Sequence, residues 1–569
     1  MSTLVESWGG SRPIAIGAMR VTSGDILDAA LRGGVAMLDT ADVYGESDAD
    51  VGGVERLVAA AIGRAVPEVR GRVTVVSKGG LRRDGGRWTA DGRASHVIEA
   101  AKATRERLGG PPLALHLLHA VDPQVELATS VRALARLVED GVAERVGLSN
   151  VNRTMLEEAS AIVDVSAVEI ELGPHRVDAV RGGLVRWCEE RGVAVLAYRP
   201  LGGVERAKKW GRQVAVKEIA ERRGVAGEEV VLAWLRGLSP VVVPLPGVTR
   251  AETVASVVRS APLVLDEDEL RRLSAEWIEV RTSTSPSRPR PRTTSTTLDV
   301  VVVMGMQGSG KSTVAKEMVG HERFNRDERG GSIEKMARLL DEALAGGVEK
   351  AVLDNTYPSR ASRAGVVDVA RRYGAPVRCI WMDTSIEDAQ VNAAARLIET
   401  YGRLPEPEEL NRLAKQDPAA FRPSAQFNWR RELEPPSEDE GFADVERRAF
   451  RRGAMPFVGA RKALVVEMKL VGEVDWKVWR DAGWLVVGTA WEEAPAADFE
   501  VALCPHPAGP PVCWCRKPLP GLGLLLTRAH GIDLARSWHV GRGAADKGFA
   551  ARLGLRFAEP GELPPPLVD

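Results

Sequence analysis

The reactive side chains of this 569-residue sequence gather in a few short runs. Residues 305–312 read GMQGSGKS, a G-x-x-x-x-G-K-[ST] pattern that follows the apolar, β-branched run 298–304. A strand that ends in such a loop and opens into a helix wraps backbone N–H groups around a polyphosphate. Gly305, Gly308 and Gly310 permit the wrap, Lys311 reaches toward the β and γ phosphates, and Ser312, followed by Thr313, offers a hydroxyl to Mg²⁺. ATP with Mg²⁺ is the expected ligand. A second run, Cys504, His506, Cys513 and Cys515, spaces four metal-capable side chains as C-x-H-x₆-C-x-C. Four protein ligands leave no open coordination position, which favours structural Zn²⁺ over a Lewis acid; the bland alternative is reduced cysteines packed in a loop.

The elements that must hold these groups need more than one core, because the chain is far longer than a single ordinary domain. With 77 basic and 78 acidic residues it has no global bias toward nucleic acid or membrane, so any polyanion site must be local. No apolar run approaches the roughly 20 residues that span a bilayer, and the start MSTLVESWGG lacks signal-peptide character, so a cytoplasmic location with no membrane partner is expected. Residues 281–297, RTSTSPSRPRPRTTSTT, have no apolar residue but proline and read as an extended linker. Before it, apolar strands at 35–38, 73–77, 113–119, 145–148, 165–171, 193–198 and 241–245 alternate with amphipathic helices. That rhythm implies a parallel sheet with crossover helices, and about eight strands in 280 residues suit a closed (β/α)8 TIM barrel.

Polar residues stand at the C-terminal ends of these strands, where such barrels assemble their chemistry. Asp39 and Tyr44 lie in LDTADVYG, Lys78 ends VTVVSK and His119 ends LALHLLH. Together these segments resemble the aldo-keto reductase family over about residues 12–275. The resemblance implies that Tyr44 protonates a carbonyl oxygen as hydride arrives, that Lys78 lowers its pKa, that Asp39 holds the lysine and that His119 orients the carbonyl of a small carbonyl substrate. It also implies an NADPH site: Ser149 and Asn150 for the carboxamide, Tyr198 to stack on the nicotinamide, and Gly247, Thr249 and Arg250 for the adenosine phosphate. Glu169 stands where the family usually has a carboxamide-binding glutamine, and Gly173 where it usually has asparagine.

Behind the phosphate loop comes NRD, Asn325 to Asp327, and then VLDNTYPSRASRAGVVDVARRYGAPVRCIWMDTSIEDAQVNAAAR. This stretch resembles the kinase domain of polynucleotide kinases over about residues 298–450. By that likeness Asp327 activates a 5′-hydroxyl, Asp354 and Asn355 lie in a loop that positions the acceptor, and Arg363 and Arg396 meet the acceptor phosphate and the transferring phosphoryl group. Two cations suit in-line transfer between polyanions. The acceptor would be a nucleic-acid 5′ end, RNA or DNA.

From about residue 451 the runs KALVVEMKLVG, WLVVGTAW, CRKPLPG and SWHVGRGAADKGFAARLG resemble haloacid dehalogenase phosphatases of the histidinol-phosphate and heptose-bisphosphate branch. Glu467, Lys469 and Arg542 occupy the positions of that family's nucleophilic aspartate, its acid two residues on and a late metal-binding acid. A longer carboxylate and two cations there imply a phosphatase fold without turnover. The expected order is therefore barrel (1–280), linker (281–297), P-loop α/β kinase (298–450) and a small HAD-like α/β domain with a zinc loop (451–569). An alternative makes the barrel a nucleotide-binding or sensing module beside a kinase, and another makes the kinase act on a small metabolite.

Overall fold

Short β-branched and leucine-rich runs make the strands of the first body, and the computed structural model describes residue 5 and residues 15–279, 298–450, 452, 454–507, 509 and 512–566. The segment read as a linker lies outside the described residues, and the described chain divides into two compact units, the first holding the residues up to 279 together with 359–365 and the second the rest. In the first unit eight parallel strands pair in chain order: Ala15–Gly17, Met37–Asp39, Thr74–Gly79, Leu115–Leu118, Val146–Ser149, Val165–Glu171, Ala194–Tyr198 and Val242–Leu245. The sheet closes on itself where the Gly17 N–H donates to Pro246 O at 3.0 Å and Gly17 bridges Gly247 in parallel register. Ala15–Gly17 went unread in the sequence because three residues carry no periodicity.

Met37, Val76, Leu115, Ala167, Leu196 and Val243 fill the lumen, so the barrel is a packed core and not a pore. The helices turn one stripe inward; in Leu127–Glu139 the buried Leu127, Val131, Leu134 and Leu137 follow the helical repeat. A two-stranded hairpin, Leu81–Asp84 with Arg87–Ala90, projects after the third barrel strand. Its Gly85–Gly86 turn, with both φ positive, is the local signal that could have announced it.

The second unit carries two five-stranded parallel sheets. One has the spatial order Glu322–Phe324, Lys350–Asp354, Asp299–Met304, Val377–Asp383, Asp444–Ala449, with the phosphate-loop strand in the middle. The other runs Val501–Cys504, Leu485–Trp491, Ala463–Glu467, Trp538–Val540, Arg556–Ala558. Their helices share a core: Val391, Leu397 and Leu410 from the first part cluster with Trp514, Leu526 and Phe549 from the second. Full burial of the Trp514 ring alone stabilises this junction by about 2–3 kcal/mol. No described helix is long and apolar enough to cross a membrane.

Candidate active sites

At the C-terminal mouth of the barrel, strand ends bring Asp39, Lys78, His119 and Glu169 together, with Tyr44 from the loop after the second strand. The Lys78 ammonium is fully buried, 2.5 Å from Asp39 Oδ1, 3.0 Å from Thr40 O and 3.3 Å from Glu169 Oε2. Burial alone opposes its charge, but Asp39 and Glu169 outweigh that and hold its pKa above the usual lysine value. Lys78 Nζ lies 5.4 Å from the Tyr44 ring centre. Burial raises the Tyr44 pKa, and the Lys78 charge pulls against it without reversing it. The expected lowering of the phenol pKa by Lys78 is thus present as a contribution and overridden by the dry site. His119 is driven below the usual imidazole range, by burial first and Lys78 second, so it is a neutral ring.

Glu169 departs from its sequence expectation. A glutamine there would face a carboxamide; Glu169 instead lies with Oε2 3.3 Å from the Lys78 ammonium, while burial and then the Asp39 charge push its pKa up to about 8. Asn150, with φ of 60°, ties the rest of the rim: its Nδ2 donates to His119 O at 3.0 Å and to Ser149 Oγ at 3.1 Å, and its Oδ1 accepts from Tyr198 at 2.7 Å. Gly247, Thr249 and Arg250 sit exposed together after the last strand, Arg250 capping helix Ala251–Ser260. Trp88, from the hairpin, was missed. Its indole stacks on Tyr44 at 5.6 Å between centres and reaches His119 at 6.0 Å, walling the mouth with an aromatic surface that stays 43% exposed.

In the second unit the GMQGSGKS loop joins strand Asp299–Met304 to helix Lys311–Glu317, with positive φ at Gly305, Gly308 and Gly310. Four successive carbonyls are tied back into the protein: Met306 O by Lys311 Nζ at 2.7 Å, Gln307 O by Gln426 at 2.8 Å, Gly308 O by Asn392 at 2.8 Å and Ser309 O by Thr384 at 3.0 Å. With these four carbonyls engaged elsewhere, they are not left to repel an anionic ligand in the loop. Gln426, Asn392 and Thr384 were not foreseen, since a side chain 119 residues off leaves no local signal.

Beside the loop, Ser312 Oγ donates to Asp354 Oδ2 at 3.0 Å, and Arg323 takes both carboxylate oxygens of Asp354 at 2.9 and 2.7 Å. Asp354, expected in an acceptor loop, therefore lies buried at the end of strand Lys350–Asp354 next to the hydroxyl offered for Mg²⁺. Asn355 instead fastens the NRD turn, donating to Phe324 O at 3.2 Å and accepting from the Arg326 N–H at 2.8 Å. Asp327 is exposed in the first turn of Arg326–Arg329, whose cap is the Asn325 side chain. Desolvation draws the Lys311 pKa down to about 8 against the pull of Asp354 and Asp327, with Arg396 adding to the drop; these groups thus share one electrostatic site. Arg396 is exposed on Ile386–Tyr401, whereas Arg363, expected to meet an acceptor phosphate, is fully buried in Arg360–Arg372. Thr313 stands in the first turn after Ser312, exposed.

In the last sheet Lys517 pairs with Glu467 and, at 2.7 Å, with Asp546, which also meets His539 Nε2 at 3.2 Å. Arg542 turns to Glu473 at 2.8 Å and Lys469 lies over Trp491 at 5.2 Å, around a pocket of about 630 Å³. The Cys504, His506, Cys513 and Cys515 donor atoms lie within 4.8 Å of one another. Sγ to Sγ separations of 3.8 and 3.3 Å and Nδ1 to Sγ separations of 3.6 and 3.2 Å fit tetrahedral donors around an ion with bonds of about 2.0–2.3 Å.

Residues 13–278, which hold the barrel, match the sequence profile of the aldo/keto reductase family. Among individual relatives, the chain is 26% identical over 270 residues to the 6-dehydroglucose reductase of Agrobacterium fabrum, across 45% of this chain and 85% of that protein. Solved structures similar to it include an aldo/keto reductase from Klebsiella pneumoniae in complex with NADP and acetate, 24% identical, covering 46% of this chain and 90% of that one with a TM-score of 0.38. Another is the holo form of a Bacillus halodurans aldo-keto reductase, 19% identical over 46% and 91% of the two chains with a TM-score of 0.39. Residues 322–412, directly behind the phosphate loop, match a profile described as an AAA domain.

Proposed function

We propose that this chain is a two-activity enzyme, an NADPH-dependent carbonyl reductase joined to an ATP-dependent kinase of nucleic-acid 5′-hydroxyl ends. The first half rests on the buried Asp39–Lys78 pair set against the Tyr44 ring and the neutral His119. A reduced nicotinamide bound along Ser149, Asn150 and Tyr198 would supply the hydride. Tyr44 gives its hydroxyl proton to the carbonyl oxygen, His119 orients that oxygen, and the Lys78 charge stabilises the phenolate left behind. Arg250 is suited to a 2′-phosphate, which favours NADPH over NADH. Tyr44→Phe tests this half: it should keep NADPH binding and lose aldehyde-dependent NADPH oxidation, and undiminished turnover would refute it.

The second half rests on the phosphate loop with its carbonyls tied back beside the Ser312–Asp354 pair. ATP would lie in the loop with Mg²⁺ at Ser312 and Asp354. Asp327 would accept the acceptor hydroxyl proton, while Lys311 and Arg396 meet charge on the transferring group. Transfer of labelled γ-phosphate to a 5′-hydroxyl oligonucleotide, lost in Asp327→Ala and Lys311→Ala, is the deciding measurement; transfer only to small metabolites would exclude the nucleic-acid reading.

The last sheet we read as a phosphatase relative without turnover, because Lys517 neutralises Glu467 and Arg542 occupies the late acid position. Zn²⁺ at the four-residue set would act as a structural staple. A second reading, in which the barrel only senses nucleotide, is favoured by Glu169 on Lys78; tight NADPH binding without reduction of any generic aldehyde would establish it.

A further inference from the structure

The four-residue metal set is not confined to its own sheet. His506 presents Nδ1 to the sulfur atoms and turns Nε2 outward, where it meets Glu406 Oε2 at 2.6 Å. Glu406 lies 100 residues earlier, at the start of helix Pro407–Leu413 in the part that carries the phosphate loop. A carboxylate on the far nitrogen fixes the proton there, leaves the lone pair of Nδ1 for a metal, and makes the imidazole a stronger donor. Trp514, between two of the cysteines, adds a second tie: its indole N–H donates to Phe421 O at 2.8 Å, and its ring meets Phe421 edge-on at 5.5 Å.

Those ties land on the segments that fasten the phosphate loop. Phe421 lies three residues before the start of helix Ser424–Glu432, whose Gln426 holds Gln307 O. Helix Ile386–Tyr401, whose Asn392 holds Gly308 O, rests on the same shared core and accepts Arg528 at Ile398 O and Arg552 at Gln390. We propose that Cys504, His506, Cys513 and Cys515 form a metal clamp with Glu406 as its outer carboxylate, and that metal binding there sets the helices that shape the nucleotide loop. The clamp follows from side-chain geometry alone. Its effect on the loop rests on the ATP-binding reading given above.

The test uses the full chain, with Zn²⁺ as the probe. Zinc affinity is measured by competition with a chromogenic chelator, and nucleotide affinity by titration with a fluorescent ATP analogue. Glu406→Ala should weaken Zn²⁺ binding about 10- to 100-fold, the range seen when an outer-shell partner is removed. Glu406→Gln, which can still accept a hydrogen bond, should recover most of that loss, an ordering that mere loss of folding would not produce. Stripping zinc from the wild type should weaken the ATP analogue several-fold, with recovery on adding Zn²⁺. A protein that binds no zinc, or a Glu406→Ala variant that holds it as tightly as the wild type, overturns the clamp. A nucleotide affinity indifferent to zinc overturns its effect on the loop. Zinc-loaded wild type that binds no nucleotide refutes the kinase reading and that effect together, while the zinc contrast between the Glu406 variants still upholds or overturns the clamp.

Discussion

The ammonium of Lys78 meets Glu169 Oε2 at 3.3 Å, in a buried site that has already given it a closer carboxylate in Asp39. One cation cannot balance two carboxylates in a dry site, and the closer Asp39 has the better claim to the negative charge. Glu169 therefore keeps a proton near neutrality, its pKa pushed up to about 8 from an ordinary 4.5.

The sign of the stability effect follows from that shift. Between about pH 4.5 and 8 the folded barrel holds a proton that the unfolded chain has released, so this group makes stability fall as pH rises. Glu169→Gln removes the decline: melting temperatures of variant and wild type should diverge in the variant's favour as pH rises from 5 to about 8. The amide can also donate to a carboxamide, which should tighten NADPH about tenfold, the worth of one hydrogen bond. Parallel melting curves would count against the assignment of the proton.

Arg323 and Asp354 form a bidentate pair with the carboxylate fully buried. Arg323→Ala should destabilise the second unit by about 3–5 kcal/mol, read by chemical denaturation, because it strands a buried charge. Asp354→Asn keeps the shape and removes the charge beside Ser312. Metal-dependent phosphoryl transfer should fall about a hundredfold or more while nucleotide still binds.

Two glycines with nearly the same backbone separate strain from crowding. Gly308 and Gly320 have φ of 82° and 83°, but a Cβ on Gly308 would meet Ala389 O at 2.4 Å and one on Gly320 meets nothing within 4 Å. Gly320→Ala should cost about 1–2 kcal/mol for the left-handed conformation alone. Gly308→Ala should cost more, and should also weaken ATP at least about tenfold because the loop must shift. Equal losses at the two sites would show that Ala389 gives way.

Trp88 makes the barrel mouth aromatic, and its loss should be felt in binding rather than chemistry. Trp88→Ala should raise KM for flat aromatic aldehydes about three- to tenfold, as expected for an aromatic pair, and leave kcat within about twofold. Steady-state kinetics with benzaldehyde-type and short aliphatic aldehydes would reveal the difference; an equal rise for both would show that the indole only supports the hairpin.

The residues that were readable in the sequence are those whose partners are set by the backbone. Asp39, Lys78 and His119 were legible because strand ends of a parallel barrel converge, and Lys311 with Ser312 because the loop brings its own geometry. Arg323, Asn392 and Gln426 were not, since their partners Asp354, Gly308 and Gln307 lie 31, 84 and 119 residues away and long-range pairing leaves no periodic trace. Glu169 was read from its position in a motif, and its actual partner was decided by charge. The joint core of the last two sheets was hidden for a related reason: each apolar stripe, on Ile386–Tyr401 and on Gly521–His530, looks like an ordinary domain interior until the two meet.

The barrel seam has a consequence of its own. Gly17 closes the sheet against Pro246 and Gly247, and Gly247 opens the segment whose exposed Gly247, Thr249 and Arg250 we assign to the adenosine end of the cofactor. The first strand contributes only three residues to that join. A dinucleotide gripping the segment would therefore act as a latch on the weakest join of the cylinder, and the loaded barrel should resist cleavage near its beginning at sites where the empty one is cut.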